Sequence, residues 1–290
     1  MVAPEFLRKP STIKWLGGIE PAWTMLDLAS FEALRGPSHP TPSVFRLADD
    51  FLPAEVQQSA VARNALILMQ AAAEAPGLKM TATGNLSRAV VAQMWELFSW
   101  PDFDREQALG LNKVINEPDF LPLYFVRQVV ESSGFLQRYK GHLRITPSGR
   151  KMLEEANSRS LPAVLFHNAM WRMDLGYLGR GLHQRWPLQD AGVVLWSLSV
   201  AANDWESPTK LVRLCTIPMR GMFDTEWDTA AMAMEARGLR PLLWFGLLDH
   251  RRDKIEGVSF GERHFYRKTP LFDRMISFRV ILDSPSGSAH

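Results

Sequence analysis

A pattern of a glycine, two apolar residues, a hairpin-length segment and Thr-Pro occurs twice in this chain. The first copy runs from Gly134-Phe135-Leu136 to Thr146-Pro147, and the second runs from Gly246-Leu247-Leu248 to Thr269-Pro270. In both copies an apolar pair follows Thr-Pro at the same offset, as a following amphipathic helix requires. We interpret the pattern as an internal repeat, whose unit is a helix ended by glycine, a strand, a turn, a strand and a second helix.

Two copies of such a unit fit a chain of 290 residues, which is long enough for two domains of ordinary size. Apolar residues make up 46% of the chain and charged residues 22%, a composition that can build packed cores. We therefore predict a mainly helical protein with short β-hairpins, in which two similar domains are joined by a helix. The predicted segments are a proline-rich N-terminal arm packing on the core at 1–53, a first domain at 54–157, a connector helix at 158–185, a second domain at 186–283 and a frayed tail at 284–290.

The first domain carries the strings LKMTATGNLSRAVV and FVRQVVESSGFLQRYKGHLRITPSGRKMLEE. With their helix-hairpin-helix layout, these strings are similar to winged helix-turn-helix domains. More narrowly, TATGNL and LRITPSGRKML resemble the helical region of uncharacterised bacterial proteins of plasmids and mobile elements, the Ri-plasmid open-reading-frame-three-like family. The close resemblance covers about 78–153, and 235–276 resembles the same region more loosely.

The winged-helix resemblance implies nucleic-acid binding as the commonest activity, and it also includes modules that bind proteins. The narrower resemblance implies a regulator or accessory protein of a plasmid or other mobile element. This chain has a proline-rich arm where that family has an αβ domain, so the role of that domain does not carry over. Fold alone does not decide function.

The first hairpin is the strongest candidate for a functional surface. Between positions 137 and 151 the chain has five lysines and arginines and no acid. A hairpin that displays Arg138, Lys140, His142 and Arg144 beside Tyr139 is suited to lie along a phosphate backbone. The alternative is a solvated hairpin edge whose charges prevent pairing with other chains.

The helix before this hairpin, at about 119–133, is a weaker candidate for reading bases. We expect it to expose Arg127, but its first turn is apolar, whereas a helix that reads the major groove needs polar side chains there. The start of the helix indicates a protein-binding surface or a packed core instead. A protein-protein adaptor that uses Phe120, Leu121 and Tyr124, for a partner protein or for self-association, is therefore the alternative function.

The TATGN string precedes a predicted helix at 86–98. Thr83 and Asn85 are expected to cap that helix or, with Arg88, to present a helix start to a phosphate group. Both interpretations remain open from the sequence.

The chain has no recognisable catalytic motif, and its seven histidines do not follow a zinc-ligand spacing. We predict no enzyme activity, no cofactor and no metal site. The single cysteine, Cys215, and the absence of a signal-peptide pattern indicate the cytoplasm, without a membrane. The net charge of +2 is small, so any basic surface must be local.

Overall fold

The computed structural model describes residues 5–179, 183–219, 227–255 and 261–283. The protein is mainly helical, with a few short antiparallel strands. Its residues form two compact units, which we call the central unit (Ala48–Met173) and the split unit (the described residues of Met1–Leu47 and Asp174–His290). Within these ranges no helix is long and apolar enough to cross a bilayer. The predicted tail at 284–290 lies outside the described residues.

The split unit begins with the N-terminal arm, whose described residues form two short α-helices, two 3-10 helices (Glu5–Arg8 and Ala22–Met25) and one strand. The α-helices and the strand are α1 (Pro10–Leu16), α2 (Leu28–Leu34) and β1 (Phe45–Leu47).

The central unit follows, with eight helices and three strands in its length. They are α3 (Pro53–Gln58), α4 (Ala60–Ala73), β2 (Leu78–Lys79), α5 (Arg88–Leu97), α6 (Arg105–Leu111), α7 (Leu121–Ser132), β3 (Leu136–Tyr139), β4 (His142–Ile145), α8 (Pro147–Met152), α9 (Glu155–Ser158) and α10 (Leu161–His167).

The three strands of the central unit form one antiparallel sheet in the order β2-β4-β3. The predicted hairpin is present, with its turn at Lys140-Gly141, where both residues have positive φ. Such a two-residue turn matches the twist of the strands that it joins. One face of the sheet is apolar, because Leu78, Leu143 and Ile145 are buried there.

The predicted connector helix is shorter than the sequence indicated. Its α-helical part is α10, which continues as one wider π-helical turn to Arg172. Leu161, Leu165 and Phe166 are buried, and α10 contacts α4 within the central unit. Its apolar face therefore belongs to the core of that unit, and Asp174 already belongs to the split unit.

The rest of the split unit contains five helices and three strands among the described residues. They are α11 (Ala191–Ala201), α12 (Pro208–Cys215), α13 (Thr229–Met234), α14 (Arg240–Trp244), β5 (Leu248–Lys254), β6 (Glu262–Lys268), α15 (Pro270–Met275) and β7 (Ile276–Phe278). A π-helical turn, Glu235–Leu239, joins α13 to α14.

The N-terminal arm is integrated into the split unit. Strand β1 pairs with β7, the last strand among the described residues. The ring of Trp23 is fully buried, and its Nε1 donates a hydrogen bond of 3.0 Å to the carbonyl of Thr216. The apolar residues of the arm therefore contribute to this core.

The two copies of the repeat have the same hydrogen bond between threonine and glycine. Gly134 and Gly246 end their helices with φ of +75° and +76°, a backbone conformation that glycine adopts without steric cost. The hydroxyl of Thr146 donates to the carbonyl of Gly134 at 2.8 Å, and that of Thr269 donates to the carbonyl of Gly246 at 2.7 Å. The repeated glycines and threonines therefore close the same junction between helix and hairpin.

Candidate functional site

The outer face of the central sheet gathers polar and basic side chains from all three strands. Lys79 and Tyr139 both pair with His142 across the sheet, so these three residues form one row. Gln137 and Arg144 form the adjacent row on the same side. We call this surface the wing face: Lys79, Gln137, Tyr139, His142 and Arg144. It contains three potential cations and no carboxylate.

Tyr139 lies on β3, an edge strand of the sheet, with 48% of its surface exposed. The guanidinium carbon of Arg144 lies 4.9 Å from the ring centroid, and the Nζ of Lys140 lies 5.2 Å from it. Both distances are in the range of cation–π attraction. Arg144 is also held by a 2.8 Å hydrogen bond from its Nε to the carbonyl of Pro76. The aromatic ring therefore groups two positive charges at the tip of the hairpin.

Arg138 and His142, two other predicted contacts, are in different environments. Arg138 donates from its Nε to Glu131 on α7 at 2.9 Å, and this carboxylate raises the Arg138 pKa above its usual range. The acid-free segment of the sequence is thus partly neutralised by an acid from the preceding helix. The Nδ1 of His142 donates to the carbonyl of Lys140 at 3.1 Å, which places the ring in the wing face beside the turn.

The prediction that α7 exposes Arg127 is wrong. Only 2% of its side chain is exposed, and it is ion-paired with the fully buried Glu117 and, at 2.6 Å, with Glu131. A buried guanidinium needs such partners because its charge cannot be solvated. Arg127 is therefore a structural residue that does not face a ligand.

The TATGN segment does not cap the next helix. Thr83 and Asn85 belong to a closed turn, in which the Thr81 hydroxyl lies 3.0 Å from that of Thr83 and accepts the Asn85 N–H at 3.2 Å. The helix begins later, at Arg88, with Ser87 at its N-cap.

The backbone just before this helix is bonded to protein groups. The Leu86 N–H donates to the buried carboxylate of Glu117 at 2.6 Å, and the Ser87 N–H donates to the carbonyl of Lys79. A carboxylate therefore lies beside this segment, and the phosphate interpretation stays a prediction. Arg88 is exposed and donates to Asn116 at 3.1 Å.

The apolar start of α7 is mostly core. Phe120 is 1% exposed, and its ring contacts those of Trp95, Phe98 and Phe103. Leu121 and Tyr124 are half-buried. The proposed adaptor surface therefore loses one of its two aromatic residues, because Phe120 is needed inside its own unit.

Two features of the chain were missed by sequence reasoning. Lys79 belongs to the wing face through strand pairing, and the alternation in Leu78-Lys79-Met80-Thr81 was the available signal. In the split unit, Glu235, His250 and His264 place one potential ligand atom each within 4.8 Å of one another. No sequence motif predicts this cluster, because its three residues lie on a helix and two strands that are separated in the sequence.

Comparison with known proteins places similarity in the central unit. A 77-residue segment, 27% of this chain, is 34% identical to the "Uncharacterized protein y4jL" of Sinorhizobium fredii and covers 35% of that protein. The chain therefore matches about a third of the length of this curated relative. No solved structure matches the chain. Residues 57–158, which include the predicted region of resemblance at 78–153, match the family described as Y4jL N-terminal domain.

Proposed function

We propose that the segment from α4 to β4 is a winged-helix domain. The order of its main elements, helix, strand, helix, helix and hairpin, supports this assignment, with α6 as an additional short helix. The pairing of the first strand with the last strand of the hairpin is the sheet order expected of that fold. In this proposal β3 and β4 form the wing. The split unit has the corresponding order. Glu206, which lies between α11 and α12 in the sequence, takes the place of the first strand by forming a β-bridge with Tyr266 on β6. We propose the same fold for this unit.

We further propose that the central unit binds the phosphate backbone of duplex nucleic acid through the wing face and Lys140. The observation that carries this proposal is the continuous acid-free surface of Lys79, His142 and Arg144 around an exposed tyrosine. Each lysine or arginine that contacts a phosphate releases condensed counterions, which favours association. The tyrosine hydroxyl offers a further hydrogen bond to phosphate oxygens.

The proposed binding is largely independent of base sequence. Helix α7, which would be the base-reading helix of such a domain, begins with Leu121-Pro122-Leu123 and uses Arg127 in a buried ion pair. Reading base edges requires exposed hydrogen-bonding side chains at that end. We therefore expect contacts with the backbone to supply most of the affinity.

A charge-removal experiment tests this function. The triple variant Lys79→Gln, Lys140→Gln, Arg144→Gln keeps polar side chains at these positions and removes three charges from the proposed surface. A matched control, Lys9→Gln, Lys14→Gln, Lys113→Gln, removes three exposed lysines elsewhere. Affinity for a 20-base-pair duplex is measured by fluorescence anisotropy at several salt concentrations.

The wing variant should bind more weakly to every sequence, and its slope of log affinity against log salt should decrease by about one unit per lost contact. The control should keep the slope of the unchanged protein. Equal slopes for both triple variants, with both folded by circular dichroism, would contradict the proposal.

The biological setting that accompanies this proposal is a binding role in the regulation or maintenance of a plasmid or other mobile element. It rests on the resemblance of the TATGNL and LRITPSGRKML segments. The cytoplasm is the compartment where we propose this role is carried out.

A further inference from the structure

The second hairpin carries a polar cluster that the nucleic-acid proposal does not use. It consists of Glu235, at the start of the π-helical turn, His250 on β5 and His264 on β6. The Nδ1 of His264 lies 2.5 Å from Oε1 of Glu235, and the two imidazole centroids are 5.0 Å apart. We propose that these three side chains bind one divalent first-row transition-metal ion, with zinc as the best fit.

The ligand set is chemically suited to zinc. Imidazole nitrogens and a carboxylate oxygen are common zinc ligands, and three protein ligands leave one position of a tetrahedral ion open. Ligand atoms bound about 2.1 Å from a tetrahedral ion are about 3.4 Å apart. The three atoms already lie within 4.8 Å of one another. Small rotations of the side chains bring them to bonding distance, with the ion replacing the hydrogen between His264 and Glu235.

Neighbouring groups orient the ligands. The buried Tyr266 donates from its hydroxyl to Oε1 of Glu235 at 2.8 Å. The same ring stacks on His250, with centroids 4.6 Å apart and planes inclined by 17°. Such outer contacts fix the direction of ligand atoms and support metal affinity. Tyr266 is therefore a positioning residue that acts on two of the three ligands.

The cluster is also accessible. The side chain of His264 is 33% exposed and that of Glu235 is 24% exposed. An ion can therefore reach the ligands from solvent, and water can occupy the open position.

The first copy of the repeat supports a specific role for these residues. Counted from Gly134 and Thr146, Arg138 and Leu143 occupy the positions of His250 and Tyr266, and both pairs are direct partners across their hairpins. The core position that holds Leu143 in the first copy therefore holds a tyrosine in the second. A polar group at such a position is costly unless it is hydrogen-bonded. In the second copy the Tyr266 hydroxyl is hydrogen-bonded to Glu235, and its ring stacks on His250, so the tyrosine holds both ligands in place.

The alternative is an ion pair between Glu235 and His264 that needs no metal. That pair explains the contact between two of the residues, and in that interpretation His250 approaches them through its stacking on Tyr266. A metal site explains all three. The two interpretations predict different behaviour in a titration with zinc.

The test uses the full chain, without an affinity tag, after removal of metals with EDTA. Titration with zinc chloride by calorimetry should give one equivalent bound, and zinc should raise the melting temperature because it binds the native state. His250→Ala and His264→Ala should each weaken zinc binding at least tenfold. His167→Ala, at the end of α10 and outside both proposed sites, is the matched control and should leave it unchanged.

Glu235→Gln adds a variant that keeps the size of the side chain and removes a strong ligand, and it should also weaken binding at least tenfold. Binding of cobalt(II) to the unchanged chain supplies a measurement that does not depend on any variant, since ligation by histidine changes its visible absorption. Failure of the unchanged chain to bind either metal would overturn the proposal. Zinc binding that is unchanged in both histidine variants would also overturn it.

Discussion

The guanidinium of Arg127 donates to the carboxylate of Glu117 in the interior of the central unit, where both side chains are almost inaccessible to solvent. The other oxygen of Glu117 accepts the N–H of Leu86. One buried acid thus links α7 to the segment that leads into α5. Two parts of the chain that the sequence suggested as ligand contacts are an arginine on α7 and the polar segment before α5. In the structure both are bonded to the carboxylate of Glu117.

Removal of this arginine should be costly. Arg127→Ala leaves the Glu117 charge buried without its cation, and we expect a loss of about 3 to 5 kcal/mol in the free energy of unfolding. Urea denaturation measures the change. Arg88→Ala, at an exposed position, is the control and should change stability by less than about 0.5 kcal/mol. Similar small effects in the two variants would contradict the structural role of Arg127.

Phe120 should behave as a core residue. Phe120→Ala removes a ring that contacts three other aromatic rings, and should cost about 3 to 5 kcal/mol. Leu111→Ala removes an apolar side chain that is 77% exposed, so it should have little effect. Thermal unfolding compares the two. A stable Phe120→Ala variant would return this position to the list of candidate partner contacts.

Thr146 and Thr269, the two threonines of the repeat, should contribute differently to the free energy of unfolding. Thr146 accepts the Gly149 N–H at 3.0 Å as the cap of α8, in addition to its bond to Gly134. Thr269 makes no corresponding cap bond. Because a helix cap contributes about 1 kcal/mol, Thr146→Val should destabilise its unit by about that amount more than Thr269→Val does. Denaturation of both variants provides the comparison, and equal losses would show that the cap is unimportant.

Cys215 should be unreactive in the folded protein. It is fully buried, and burial raises the pKa of its thiol, so very little of the nucleophilic thiolate forms near neutral pH. We expect no alkylation by iodoacetamide at pH 8 within an hour, and complete alkylation in urea, with mass spectrometry as the measurement. Rapid modification of the native chain would mean that the α12 segment opens readily.

Local sequence signals predicted the regular elements where short-range chemistry determines them. The glycine stop at Gly134 and the hairpin after it depend on neighbouring residues, and both are present as predicted. The environment of Arg127 could not be predicted in this way. It depends on Glu117, whose burial follows from tertiary packing.

The same distinction applies to the candidate sites. Tyr139, Lys140 and Arg144 are close in sequence, so their grouping was visible from the pattern. Lys79 joins them only through the pairing of β2 with β4. The approach of Glu235 to His264 requires the second hairpin to pack against the π-helical turn. The spacing of the histidines in the sequence does not predict this contact.

The most direct test of the central claim is a map of the residues that contact duplex DNA. The full chain, labelled with nitrogen-15, is titrated with a 20-base-pair duplex of arbitrary sequence at low salt, and amide shifts are followed by NMR. The account predicts that the largest shifts occur at Lys79 and along 137–144, and that they diminish as salt is added. Shifts confined to the start of α7, around Leu121 and Tyr124, or no shifts at all, would contradict binding through the wing face.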